Sequence, residues 1–152
     1  MDENEYRNTY RAVNPFACPF QKAVLARQCG CEYLLYLHIA EREGAGCNMP
    51  LAYKTCVKLL DLLRQNARFS LKLVSSSTGS LPHGKEIKVQ VGGLRGLAQA
   101  VSSKDPLHRI ENIHALVKKA MEIYGEMENF PYQEIVKEIV RYEGRLRRNR
   151  SR

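Results

Sequence analysis

Five cysteines, at positions 18, 29, 31, 47 and 56, are confined to the first 56 of 152 residues, with the spacing C-x10-C-x-C-x15-C-x8-C. Thiolates are soft ligands and good nucleophiles, so such a cluster points to metal binding, to redox chemistry or to a set of buried thiols. The opening residues MDENEYRNTY are acidic and polar and lack the basic-then-apolar order of a secretory leader. The expected compartment is therefore a reducing cytoplasm, where structural disulfides are disfavoured.

Local sequence suggests how the thiols could converge. Cys18 lies between Pro15 and Pro19, which hold it in an extended or turn conformation. Residues two apart on a helix point to nearly opposite sides, but Gly30 between Cys29 and Cys31 offers conformations that could turn both inward. Cys47 follows Gly44-Ala45-Gly46 and precedes a helix start at Pro50, whose amide dipoles favour a thiolate. Cys56 falls inside an apolar helical stripe and reads equally well as a ligand or as a small core residue.

Structural zinc sites present paired C-x2-4-C knuckles, and this chain has no C-x2-C. Iron–sulfur clusters are also held by thiolates, with spacings that vary widely, so an iron–sulfur cluster is the expected cofactor and zinc the alternative. The candidate ligands are Cys18, Cys29, Cys31, Cys47 and Cys56. His38 is a further ligand candidate, although its place beside Leu37 and Ile39 suits a packed or surface residue. His108 and His114 are six apart, which is not the spacing of a helical metal pair.

No phosphate loop, dinucleotide fingerprint, G-x-S-x-G elbow or H-E-x-x-H motif occurs. The segments Leu81–Lys85 and Val91–Gly96 combine glycine with a cation but lack a full phosphate-binding spacing. With no catalytic motif, the chain is not expected to be an enzyme by itself. Its expected role is electron transfer or redox sensing.

The net charge is +8, and residues 51–100 carry eight basic but only two acidic side chains. A second basic concentration is the tail Gly144–Arg152, five of whose nine residues are Arg. Lys54, Lys58 and Arg68, with Arg145, Arg147 and Arg148, are candidate contacts for an acidic protein partner or redox enzyme. A basic nucleic-acid-binding or protein-interaction module, with structural zinc or no metal, is the alternative function. No apolar run is long enough to cross a bilayer as a helix.

The elements that must position these groups follow from hydrophobic period. A polar lead-in over 1–14 precedes a single globular domain over 15–143, and 144–152 form an Arg-rich tail expected to be disordered. Within the domain, 15–66 read as a cysteine-rich helical part, with helices over 19–28, 32–43 and 50–66. Alternation over 69–73 and 86–91 predicts a β-hairpin within 68–91. A helical part over 94–143 begins with a short helix from Leu94. A second helix starts at Asp105-Pro106, and a third follows Pro131 and packs antiparallel to it. The predicted class is α+β and predominantly helical, with about five helices, one hairpin and an N-terminal third organised by cysteine.

Overall fold

The computed structural model describes residues 2–71, 81–102 and 109–143. The fold is mainly helical with one two-stranded antiparallel hairpin, as the sequence predicts, but the hairpin lies elsewhere in the chain. The predicted lead-in is in fact a helix, α1 (Glu3–Val13). Asp2 and Glu5 form a capping box, in which the Glu5 N–H donates to the Asp2 carboxylate at 2.8 Å. None of the α1 residues is fully buried. The helix rests on the hairpin through Arg42, which pairs with Glu3 at 3.0 Å and stacks over the Tyr6 ring at 4.3 Å.

After the short α2 (Gln21–Leu25), β1 (Leu34–Ile39) and β2 (Arg42–Cys47) occupy the segment whose spacing predicts a helix over 32–43. Register runs from Leu34 opposite Cys47 to Ile39 opposite Arg42. The two-residue connection, Ala40-Glu41, has φ of 54° and 82°, the pair of positive angles that a tight type I′ turn demands. Neither residue is the Asn or Gly that signals such a turn, so the hairpin is hidden in the sequence. Gly44 and Gly46 do not end a helix. A Cβ on Gly44 would come within 2.7 Å of the Tyr10 ring, and one on Gly46 within 2.2 Å of the Asn14 side-chain oxygen. These two glycines let α1 and the chain after it lie against β2.

α3 (Pro50–Ser70) begins at its proline, as predicted, and buries Ala52, Leu59, Leu60, Leu63 and Ala67. It continues through Phe69 and Ser70, so the start of the expected strand over 69–73 is the last helical turn. The expected strand over 86–91 is also helical: α4 (His83–Ile87), a π-helical turn (Lys88–Gly92) and α5 (Gly93–Ser102) follow one another without a break. Of the hairpin expected within 68–91, residues 68–70 and 83–91 are helical instead; 72–80 lie outside the described residues.

The alternation misleads here because Glu86 and Gln90 are buried, not solvated. Arg64 clamps the Glu86 carboxylate in bidentate fashion at 3.1 and 2.9 Å, and the Gln90 amide donates to the same carboxylate at 2.8 Å. The Gln90 carbonyl accepts from the Ala23 N–H at 3.0 Å, which ties α2 to this helical segment.

α6 (Ile113–Tyr124) and α7 (Tyr132–Arg141) complete the fold. The expected start at Asp105-Pro106 lies outside the described residues; α6 is capped by Asn112, and Ile110 is extended. α6 and α7 do not form the expected antiparallel pair but both pack on α5. Two glycines let α7 approach the π-helical turn and α5 closely: a Cβ on Gly92 would meet the Ile139 Cα at 2.5 Å, and one on Gly96 the Ile135 Cα at 2.8 Å. The glycines of Val91–Gly96 thus serve helix packing instead of a phosphate. The core between these elements is filled by Phe20, Leu59, Leu63, Leu94, Leu97, Ile113, Ile135 and Ile139.

Gly96→Ala gains helix propensity but must push backbone away, so overpacking wins and the variant should lose about 2 kcal/mol of stability in urea unfolding. Replacing Ala40-Glu41 by Asn-Gly should raise stability by about 1 kcal/mol, read as a higher urea midpoint with unchanged slope.

Candidate metal centre

Four of the five cysteines, from four separate segments of chain, line one cavity. Cys18, Cys31, Cys47 and Cys56 surround it together with Pro19, Tyr33, Leu34, Gly46, Ala52, Tyr53, Ile113 and His114. Backbone pairing sets each sulfur. The segment before α2 pairs with the outer edge of β2: the Cys18 N–H donates to the Ala45 carbonyl at 2.9 Å, and the Cys47 N–H to the Phe16 carbonyl at 2.7 Å. Asn14 secures this edge by donating to the Ala45 carbonyl at 3.2 Å, and Gln21 by accepting from the Ala45 N–H at 2.7 Å. Tyr10 donates to the same Gln21 carbonyl oxygen.

Cys31 stands just before β1, in a turn closed by the Leu34 N–H on the Cys31 carbonyl at 3.2 Å. Cys56 lies one turn beyond Ala52 on α3, so both residues face the cavity. All five thiols are free.

Cys29 stands apart from the other four. Cys29 forms a parallel bridge with Ile110, and its neighbour bonds to the chain on both sides of it: Gly30 donates to the Ile110 carbonyl at 2.8 Å, and Ile113 to the Gly30 carbonyl at 2.8 Å. Cys31 lies past that pairing, in the turn before β1, and reaches the cavity, while Cys29, at the bridge itself, enters the core. Gly30 does not use a positive φ, and the expectation that it turns both thiols to one centre is corrected accordingly. What it supplies is space, since a Cβ there would touch the Arg109 guanidinium and the Glu111 carbonyl at 3.0 Å.

Burial controls the thiols' ionisation. The Cys18 thiol is pushed up to about 12, chiefly by desolvation, with the neighbouring Cys31 and Cys47 adding repulsion. Desolvation likewise takes Cys56 up to about 12, and it feels Cys18, Cys31 and Cys47. Cys29, also raised to about 12 by burial, is moderated by the positive charges of Arg95 and Arg109. Cys47 donates its S–H to the Met49 carbonyl at 3.3 Å.

Two helices begin at the cavity, α3 through Ala52 and Tyr53 and α6 through Ile113 and His114. Their N-terminal dipoles favour negative charge there. Asn112 locks the start of α6 beside Cys31, accepting from the Glu32 N–H at 3.3 Å and donating to the Glu32 carboxylate at 3.1 Å.

The cavity leaves about 20 Å³ open to the centre of a water molecule, somewhat more than one water needs. Among the described residues, no group of three or more His, Cys, Asp or Glu side chains is arranged to hold a metal ion. The donor set nonetheless suits a thiophilic centre: four sulfurs, an otherwise apolar wall and two positive helix ends.

Of the histidines, His38 takes the surface place that its neighbours suggest, whereas another lines the cavity. His38 is exposed on β1, 3.9 Å from the Glu43 carboxylate. His114, set aside by its spacing from His108, lines the cavity and meets the Tyr33 ring edge-on at 4.9 Å. It follows the last cysteine by 58 residues, so only the pairing of 28–30 with the chain before α6 brings it there.

Several of the basic residues of the middle segment are paired within the fold, some of them at its surface. Lys58 pairs with Glu128 at 2.8 Å, and Arg95 donates to Gln28 at 2.7 Å. Lys88 donates to the Val140 and Tyr142 carbonyls at the end of α7. Lys54 is exposed on α3 and Arg68 is half-buried, whereas Arg145, Arg147 and Arg148 lie outside the described residues. No helix among the described residues is long and apolar enough to cross a membrane. No protein-family model matches the chain, and neither a curated protein nor a solved structure is found similar to it.

The raised thiols carry a pH signature. A thiol lifted from 9 to about 12 in the fold favours folding fully below pH 9, and that contribution is lost as pH climbs towards 12. Metal-free protein should therefore lose stability between pH 9 and 12. Cys56→Ala should lose less over the same interval, measured by urea midpoints at a series of pH values.

Proposed function

We propose that the protein binds an iron–sulfur cluster through Cys18, Cys31, Cys47 and Cys56 and serves in electron transfer or redox sensing. The observation that carries this reading is the convergence of four cysteine side chains, from four separate segments, on one small apolar cavity. Four thiolates are the usual ligand complement of a two-iron or four-iron cluster.

The spacing of the cysteines supports a cluster over a single zinc ion: structural zinc sites usually present paired C-x2-4-C knuckles, which this chain lacks, whereas iron–sulfur clusters take thiolates at widely varied spacings.

When bound, the cluster supplies a one-electron couple. The chain's own part is to hold four thiolates, to keep bulk water from the sulfurs with Pro19, Leu34, Ala52 and Ile113, and to offset the negative charge with the starts of α3 and α6. Loading must displace the protons of Cys18 and Cys56, so apparent affinity should rise with pH. The partner in this reading is an acidic redox protein attracted by the net charge of +8, and the setting is a reducing cytoplasm that keeps all five thiols free.

Anaerobic reconstitution with ferrous iron and sulfide tests the reading. The expected product is brown, absorbs near 400 nm and contains iron and sulfide in equal amounts. Serine at position 18, 31, 47 or 56 should abolish or strongly diminish the 400 nm band, while Cys29→Ser should retain it. A colourless product, zinc as the sole stoichiometric metal, or equal dependence on Cys29 would overturn the assignment.

A further inference from the structure

Independently of anything bound in the cavity, we propose that the protein forms a two-fold dimer in which β1 pairs with β1 of a second copy, antiparallel and centred on Tyr36.

The register of the sheet leaves β1 with an open edge. Opposed residues of an antiparallel pair alternate between those that bond each other and those whose N–H and C=O groups turn away. Ala45 and Cys47 are of the second kind. The Ala45 carbonyl accepts from Cys18, the Ala45 N–H donates to Gln21, and the Cys47 N–H donates to Phe16, all on the side of β2 away from β1. Across the sheet from them stand Tyr36 and Leu34, whose backbone groups therefore point out of the sheet, and His38, two residues on, does the same. The Leu34 N–H is satisfied by the Cys31 carbonyl at 3.2 Å. Among the described residues, no group bonds the backbone of Tyr36 or His38 on that side.

An open strand edge is a template for another chain, and proteins that keep such an edge solitary guard it with lysine, proline or a bulge. β1 has none of these: it reads Leu34-Leu35-Tyr36-Leu37-His38-Ile39 and runs in unbroken register against β2. Leu35 is 46% exposed and Tyr36 51%, so apolar surface lies beside the unpaired groups.

The occupant that fits this edge is the same strand turned about a two-fold axis. Leu35-Tyr36-Leu37 reads alike in both directions. Antiparallel pairing about Tyr36 sets Leu35 of each copy opposite Leu37 of the other on one face, and the two Tyr36 rings side by side on the opposite face. The outward groups also match. Each Tyr36 exchanges N–H and C=O bonds with its counterpart, and each His38 N–H meets the Leu34 carbonyl, whose own N–H is already spent on Cys31. The strand holds no Lys, Arg, Asp or Glu, so its pairing opposes no like charges. The net charge of +8 on each copy acts against association, and salt, which screens it, should tighten the dimer.

Sedimentation equilibrium in reducing buffer, from about 1 μM to about 1 mM protein, is the test. The expected result is a monomer–dimer equilibrium that shifts towards dimer as salt is added. Tyr36→Lys sets two like charges opposite each other at the axis and should weaken the dimer by about tenfold. In the wild type, amide hydrogen exchange at Tyr36 and His38 should slow as protein concentration rises, while Leu35 and Leu37, already bonded to β2, change little. This measurement decides the matter even if the substituted protein does not fold. A wild type that stays monomeric over the whole range would overturn the proposal. So would a dimer indifferent to Tyr36→Lys, which would place the contact elsewhere, or exchange at Tyr36 and His38 that ignores concentration.

Discussion

Strand β2 is paired on both edges, and that double pairing is the constraint on which the candidate site depends. One edge carries β1, and the other carries the chain around Ala17, joined by the hydrogen bonds of Cys18 to Ala45 and of Cys47 to Phe16. Three of the four cavity cysteines are placed by this small sheet or at its ends. The fourth, Cys56, arrives on α3, which leaves the sheet directly after Cys47. Two- and three-stranded ribbons of this size are marginal in water. This one is buttressed by α1, by the Asn14–Gln21–Tyr10 hydrogen-bond group and by the glycine face of β2, where no side chain keeps the neighbours at a distance.

The thiols reverse the usual relation between site and scaffold. Without a ligand, burial favours their neutral form, and the cavity is a set of small apolar groups adjoining the core. With a thiophilic centre, the same four groups become anions that cross-link segments far apart in the chain. The binding energy is then also folding energy for the N-terminal third. The C-terminal part stands on different footing. Its close α5–α7 packing and its Arg64–Glu86–Gln90 group are complete without any ligand.

Much of the helical architecture was legible in the sequence. The stripe on α3 and its starting proline, and the helix after Pro131, follow directly from period and capping chemistry. The hairpin was not legible, for two separate physical reasons. Its turn uses Ala40 and Glu41 at positive φ, without the glycine that would mark it. Conversely, Glu86 and Gln90 imitate the polar face of a strand because their burial is compensated by partners in α3 and α2, remote in sequence. Period reports which positions are apolar, and it misreads a polar side chain that is buried and satisfied.

Residue type and spacing alone determined that this chain concentrates its sulfur chemistry in one region and that no paired zinc knuckle exists there. They also determined that its positive charge sits mainly in its middle and its tail. Only tertiary structure decided which sulfurs meet. Cys29 is held in the core by a bridge to Ile110, some eighty positions away, while Cys31 lies beyond that bridge and lines the cavity. His114 joins the cavity through that same long-range pairing. Such contacts are made by backbone hydrogen bonds, which are common to every residue and leave no mark in the identity of the side chains they bring together.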